Sequence, residues 1–212
     1  MKRNIKIGII NSGIANISSV ANMIKKIGYQ CSIINNKNEF STHFSHLIIP
    51  GIGSFDTGIK NLKDSSFDEI IYKHIELEKP ILGICLGMQL LFDWGEEDGG
   101  HKGLGLIKGQ VKKMKTVKNR KLPHVGWNEL NFKKKHPIFE NVREHVDYYF
   151  VHSYECEVED KSNIISTSNY GAEVVSCVGD GKNVVGTQFH PEKSPPNGLN
   201  VLKNFFYWNG KC

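Results

Sequence analysis

The 212-residue chain carries a formal net charge of +5, with 39% hydrophobic and 23% charged residues. That balance suits one globular core, reads as a single domain over residues 1–212, and leaves no apolar run long enough to cross a bilayer. Five scattered cysteines without a CxxC pair, and nine histidines without an HExxH spacing, argue against a disulfide framework and a zinc site, so neither metal nor cofactor is expected.

From the N-terminus, basic Met1–Asn4 leads into Ile5–Asn11, an extended apolar stretch interrupted by Lys6. No small-residue cleavage site follows, so a secretory leader is not expected and a cytoplasmic location is. Ser18–Gly28 has helical spacing, Ser32–Asn35 and His46–Ile49 are strand-like, Gly58–Glu78 is largely helical, and Ile81–Ile84 is a further strand. Strands separated by helices predict right-handed crossovers and a parallel sheet covered on both faces, with ligands at the carboxyl ends of the strands. Three loops occupy such ends: Asn11-Ser12-Gly13, Pro50-Gly51-Ile52-Gly53 and the turn at Cys85.

The last of these, Gly83-Ile84-Cys85-Leu86-Gly87, has the spacing of a nucleophile elbow, with cysteine in place of the usual serine. Such a strand-to-helix turn is strained and needs glycines where backbones approach closely. A sulfur held ahead of a helix-like run is favoured as thiolate by the helix N-terminus, and the Leu86 N–H would face a developing oxyanion. The competing reading is a plain buried cysteine, since free cysteine is among the most buried residue types.

After Trp94 the pattern turns β-rich: Gly103–Lys115, Val146–Glu159 and Ala172–Phe189 alternate or run as strands, the last as a hairpin turning at Gly179-Asp180-Gly181. Antiparallel strands are expected to extend the sheet. The basic stretches Lys112–Lys121 and Lys133–Lys135 lack interleaved aromatics and read as solvated faces, so no nucleic-acid partner is expected. Val184–Phe189 delivers His190-Pro191-Glu192 to another strand end, and Leu199–Trp208 closes the chain as a helix. Beside the Cys85 sulfur, His190 would act as base and then acid while Glu192 fixes its tautomer, giving a Cys-His-Glu triad.

"GICLGMQLL" with "GTQFHPEKS" resembles the class I (triad) glutamine amidotransferases. "LIIPGIGSF", "PHVGWN" and "YYFVHSY" add a resemblance, within that superfamily, to the glutaminase subunits of imidazole glycerol phosphate synthase. The motifs stand in the expected order from the first strand to the last helix. The resemblance implies a flavodoxin-like α/β fold, with a mixed, mostly parallel central sheet flanked by helices. It implies hydrolysis of L-glutamine through a thioester on Cys85, with the ammonia passing to a (β/α)8-barrel cyclase/synthase subunit of a heterodimer in histidine biosynthesis. By the same correspondence, Leu86 and Ile52 supply the oxyanion hole, which a peptide flip near Ile52 completes. Gly51, Gly53, Gln89, Ser153 and Tyr154 would hold glutamine, and Asn16, Trp127, Tyr149 and Lys193 would meet the partner.

One loop departs from this pattern. Many such subunits carry Asp-Tyr-Gly-x-Gly-Asn after the first strand; here the segment is Asn11-Ser12-Gly13-Ile14-Ala15-Asn16. In the family that loop faces the partner, so glutamine hydrolysis is expected to be intact. The departure opens an alternative: a paralogous glutaminase feeding a synthase that aminates or amidinates a surface-polysaccharide sugar. A stand-alone cysteine peptidase or γ-glutamyl hydrolase, and a catalytically idle scaffold, are the readings from other classes.

Overall fold

The computed structural model describes residues 5–115, 121–143 and 145–212; the basic start Met1–Asn4 and the middle of Lys112–Lys121 lie outside the described residues. The first half alternates β1 (Ile7–Ile10), α1 (Ile17–Lys26), β2 (Cys31–Ile34), β3 (His46–Gly51), α2 (Phe55–Asp64), α3 (Phe67–Glu76), β4 (Ile81–Cys85) and a single turn, α4 (Leu86–Gln89). The second half is β5 (Phe92–Gly95), β6 (His101–Lys102), β7 (Ile107–Lys113), β8 (His124–Glu129), β9 (Asn131–Phe132), β10 (Asp147–His152) and β11 (Tyr154–Val158). It ends with β12 (Ile164–Asn169), β13 (Glu173–Gly179), β14 (Val184–Thr187) and α5 (Asn197–Tyr207).

Eight strands form the main sheet in the order β2-β1-β3-β4-β14-β13-β12-β9. The first five are parallel, and β13, β12 and β9 extend them antiparallel. The period-2 alternation of each central strand feeds two cores. On β3, Leu47 and Ile49 join the core under α2 and α3, while Ile48 joins the core under α1 and α5. α1 buries Val20, Ala21, Met23 and Ile24, a helical stripe, and starts where the Asn16 side chain accepts from Ser19 N.

Three expectations change. Gly58–Glu78 is two helices, broken where Ser66 takes φ 51°. The run after Cys85 leaves the helix after one turn, because Leu90, Leu91 and Phe92 are all buried and Phe92 enters a strand. Not every antiparallel strand extends the main sheet. β10 pairs with β8 in a separate ribbon, and β11 joins β7, β5 and β6 in a second sheet. Among the described residues, no helix is long and apolar enough to cross a membrane.

The site follows from this topology. β3, β4 and β14 lie side by side with Gly51 level with Cys85 and Thr187 level with Ile84. Their carboxyl ends therefore bring three loops together: Ile52–Ser54, the Cys85 turn and the His190 turn.

Candidate active site

Cys85 sits at φ 54°, ψ −109°, a strained conformation for a residue with a side chain. The flanking glycines are steric necessities. A Cβ on Gly87 would lie 1.7 Å from the Ile49 carbonyl oxygen, and one on Gly83 would lie 2.5 Å from the Gly87 oxygen. Gly51 is similarly crowded, 2.9 Å from the Leu86 Cβ. Because α4 is one turn long, its macrodipole is slight, and the expected helix-terminus effect on the sulfur gives way to its immediate neighbours.

Those neighbours are well defined. Cys85 is 5% exposed, and its sulfur faces the Val151 carbonyl at 3.8 Å and accepts from Gln188 Nε2 at 3.7 Å. His190 stands at the end of β14, its N–H donating to the Tyr149 carbonyl at 2.9 Å. Ser194 Oγ donates to the His190 carbonyl at 2.7 Å and accepts from Tyr149 N at 2.9 Å, so the turn is held from both sides. His190 Nδ1 lies 2.7 Å from Glu192 Oε1, and both side chains are buried. His190 Nε2 makes no hydrogen bond of good geometry, yet the sulfur is close enough to act on it. Burial lowers the His190 pKa; the charge and hydrogen bonding of Cys85, with help from Glu192, outweigh it and raise the value to about 10. Loose alignment of this kind is common before substrate arrives.

A cavity of about 420 Å³ opens in front of the sulfur. Of the residues expected from sequence, Ile52, Gly53, Cys85, Leu86, Gln89, Ser153, Tyr154, Tyr149 and Lys193 line it. Gly51 lies behind Leu86, and His190 and Glu192 lie buried beyond the cavity wall. Asn16 caps α1, which packs against the Pro191–Lys193 turn rather than lining the cavity. A larger cavity, about 760 Å³, lies beside Lys134, His136 and Cys212, but there burial raises the thiol pKa and no such hydrogen-bonded array stands beside it. The smaller cavity is the one with chemistry.

Two of the expected residues have neighbours that the sequence did not announce. The Ile52 N–H donates to the Ile14 carbonyl at 2.8 Å, so the flip that the resemblance implies would have to break this bond. The Asn11–Asn16 loop therefore reaches the expected oxyanion hole and is not confined to a partner-facing role. Trp127 lies on β8 and is 52% exposed. Its ring stands 5.7 Å from that of Tyr149, over which Lys193 Nζ sits at 5.5 Å.

Sequence reasoning missed Gln188, Glu97 and His152. Gln188 is fully buried and accepts from Gln89 Nε2 at 3.0 Å, while Gln89 Nε2 also donates to the Tyr154 carbonyl at 3.2 Å. Both Gln89 amide hydrogens are thus spent internally, leaving its oxygen for the cavity. Gln188 stands two residues before His190, so its place on the same strand end was the available signal. Glu97 lines the cavity with Oε2 accepting from Phe55 N at 2.7 Å. Among the described residues, no group of three or more His, Cys, Asp or Glu is arranged to hold a metal ion.

Residues 8–208 match the family described as Glutamine amidotransferase class-I. A relative from Methanococcus maripaludis, "Imidazole glycerol phosphate synthase subunit HisH 2", is 45% identical over 94% of this chain and 98% of its own. One from Aquifex aeolicus, "Imidazole glycerol phosphate synthase subunit HisH", is 41% identical over 93% and 94%. The solved structure of PurLQS from Thermotoga maritima superposes with TM-score 0.74 at 18% identity, over 96% of this chain and 98% of that one. That last likeness concerns the fold alone.

Proposed function

The chain belongs to the class-I glutamine amidotransferase family, and from that premise we propose that Cys85, His190 and Glu192 form its catalytic triad. The chain is a glutaminase, the ammonia-supplying subunit of imidazole glycerol phosphate synthase, the enzyme for which its archaeal and bacterial relatives are named. That naming favours the histidine branch over the sugar-modifying synthase that the Asn11–Asn16 loop left open.

The observation that carries the triad is the His190–Glu192 contact of 2.7 Å, together with the rise of the His190 pKa beside Cys85. In the cycle we infer, the Cys85 sulfur attacks the side-chain carbonyl carbon of glutamine and the carbonyl electrons move onto oxygen. Protonated His190 gives its Nε2 hydrogen to the departing nitrogen, the C–N bond breaks, and ammonia leaves a γ-glutamyl thioester. His190 then takes a proton from water, whose oxygen attacks the thioester, and the sulfur departs with its electron pair as glutamate forms. Glu192 holds the Nδ1 hydrogen throughout and stabilises the charged ring.

Glutamine would lie in the cavity with its α-ammonium toward Glu97 and its carboxylate toward the Ser153–Tyr154 backbone; Gly51 and Gly53 shape the wall against Leu86. Leu86 N–H is one oxyanion donor. The Ile52 N–H is the second only after it leaves Ile14, and lacking one such donor costs about 10²–10³ in kcat. Rotation of that peptide on assembly would therefore switch the subunit on. The partner is a (β/α)8-barrel cyclase subunit in a heterodimer, and its docking face is the side of β8 and β10 bearing Val125, Trp127 and Tyr149, with Lys193 and Asn16 at its edge. A large exposed tryptophan at a prospective interface centre supports this. Transfer within a closed interface keeps ammonia unprotonated and nucleophilic.

Cys85→Ser tests the division of labour in the assembled enzyme. Glutamine-driven synthesis is expected to vanish while synthesis from added ammonia persists. Loss of both activities would refute the assignment, and co-purification with a sugar-modifying synthase would select the other acceptor.

A further inference from the structure

Gln89, Gln188 and Cys85 form a row of contacts beneath the cavity, and the chemistry at one end fixes the orientation of the rest. Gln89 Nε2 lies 3.2 Å from the Tyr154 carbonyl and 3.0 Å from Gln188 Oε1, and Gln188 Nε2 lies 3.7 Å from the Cys85 sulfur. The Tyr154 carbonyl can only accept, so Gln89 turns its amide nitrogen toward it. That nitrogen can only donate, so Gln188 meets it with oxygen. The Gln188 amide hydrogens are thereby aimed at the sulfur. Reversing either amide would set oxygen against oxygen or nitrogen against nitrogen at hydrogen-bonding distance.

Gln188 is also fixed by its backbone. It is fully buried just after β14, and its N–H donates to the Ser176 carbonyl at 2.9 Å. An apolar side chain would fill such a place at no desolvation cost, whereas a buried amide is costly unless it is bonded.

We propose that Gln188 is a positioning residue for glutamine hydrolysis: its amide hydrogens stabilise negative charge on the Cys85 sulfur while its oxygen holds Gln89 for the substrate. The inference rests on the reading of Cys85 as the nucleophile. The contact is long because sulfur is large, and it strengthens when the sulfur is charged. It serves twice in the cycle. Before attack it favours the charged sulfur, and when the thioester C–S bond breaks it meets the electron pair returned to sulfur. Gln188 exchanges no proton itself; that task stays with His190. One amide thus ties the side chain that faces the substrate to the atom that attacks it.

The titratable groups around the sulfur are His190, with Glu192 behind it, Cys156 on β11 and, across the cavity, Glu97, Tyr149, His152, Tyr154 and Lys193. A substitution at 188 removes none of them, so a change in the titration of the sulfur reports the amide.

Gln188→Met keeps the length and most of the volume of the side chain and removes both ends of the amide. In the folded variant joined to its synthase subunit, kcat/KM for glutamine is expected to fall about tenfold, the loss of one contact in the transition state. The midpoint of Cys85 alkylation by chloroacetamide against pH is expected to rise by about one unit, the scale of one hydrogen bond to a charged group. An unchanged midpoint would overturn the proposal even if turnover slowed, because lost packing alone does not move the titration. An unchanged kcat/KM would overturn it equally. Where the variant does not fold, NMR on the wild-type chain decides. The Gln188 side-chain amide, assigned through its own carbons, is expected to shift downfield with pH along the alkylation profile, and an amide that does not follow that profile would overturn the proposal. Failure of the glutaminase reading looks different: the wild-type assembly would release no ammonia from glutamine, whatever the amide reports.

Discussion

Around Cys85 the backbone is pinned from several sides, whereas Ile52, at the end of the neighbouring strand, is 45% exposed and its N–H is held by one hydrogen bond to Ile14. Gly83, Gly87 and Gly51 interlock at the elbow with no room for a single added carbon. Gly53, beside Ile52, has φ +98° and open space around it. The proposed nucleophile and base are thus set by packing, while the proposed second oxyanion donor is held by a contact of about 1 kcal/mol. On the proposed reading, a partner needs only to displace that contact to complete the site.

The largest expected effect comes from removing the rigidity of the first region. Gly87→Ala places its Cβ against the Ile49 carbonyl and should destabilise the chain by about 3 kcal/mol or more, seen as a shifted urea midpoint. An unchanged midpoint would mean that the elbow is looser than its contacts imply. Ile52→Pro probes the second region by deleting the N–H altogether. The isolated chain should lose about 1 kcal/mol or less, while partner-activated glutaminase turnover falls by about 10²–10³. Full turnover in the variant would remove Ile52 from the hole.

The smallest effect separates the site from the body of the fold by pH. His190, with its pKa raised to about 10, contributes stability that is complete below its unfolded value and is lost as pH rises through about 10. His74, buried on α3, has its pKa lowered to about 3 by burial and by Lys79, so its contribution is present above 6.5 and is lost as pH falls toward 3. His74→Leu should therefore flatten the stability profile below pH 6.5 by at most about 1.4 kcal/mol per pH unit, leaving the alkaline side alone. Thermal melts from pH 4 to 10 would register this, and an equal change on both sides would contradict it.

The same contrast explains what could be read from the sequence. Glycine spacing around Cys85 was legible because the requirement is local: each glycine answers a backbone atom within a few residues or on the adjacent strand. The alternating β and α segments were legible from periodicity, since β3 and β4 are short apolar runs bounded by turns. The end of α4 was not, because Leu90-Leu91-Phe92 is apolar throughout and an all-buried run does not distinguish helix from strand. Nor was the parting of β10 from β11 at Ser153, where one continuous β-like run enters two different sheets through non-local pairing. Gly126 keeps its place within β8 at φ +156°, an angle that residues with a side chain rarely adopt, and the pairing with β10 that holds it there is non-local. The tie between Ile52 and Ile14 joins two loops far apart in sequence, and neither side chain announces it.

A preset nucleophile beside an unfinished oxyanion hole can be separated from a nucleophile that is itself switched by alkylating Cys85 with chloroacetamide in the isolated chain and in the assembled enzyme, alongside glutaminase turnover in both. Similar alkylation rates are expected in both, with turnover rising steeply on assembly. Alkylation that rises in proportion to turnover would place the switch at the sulfur and histidine and contradict a preset nucleophile.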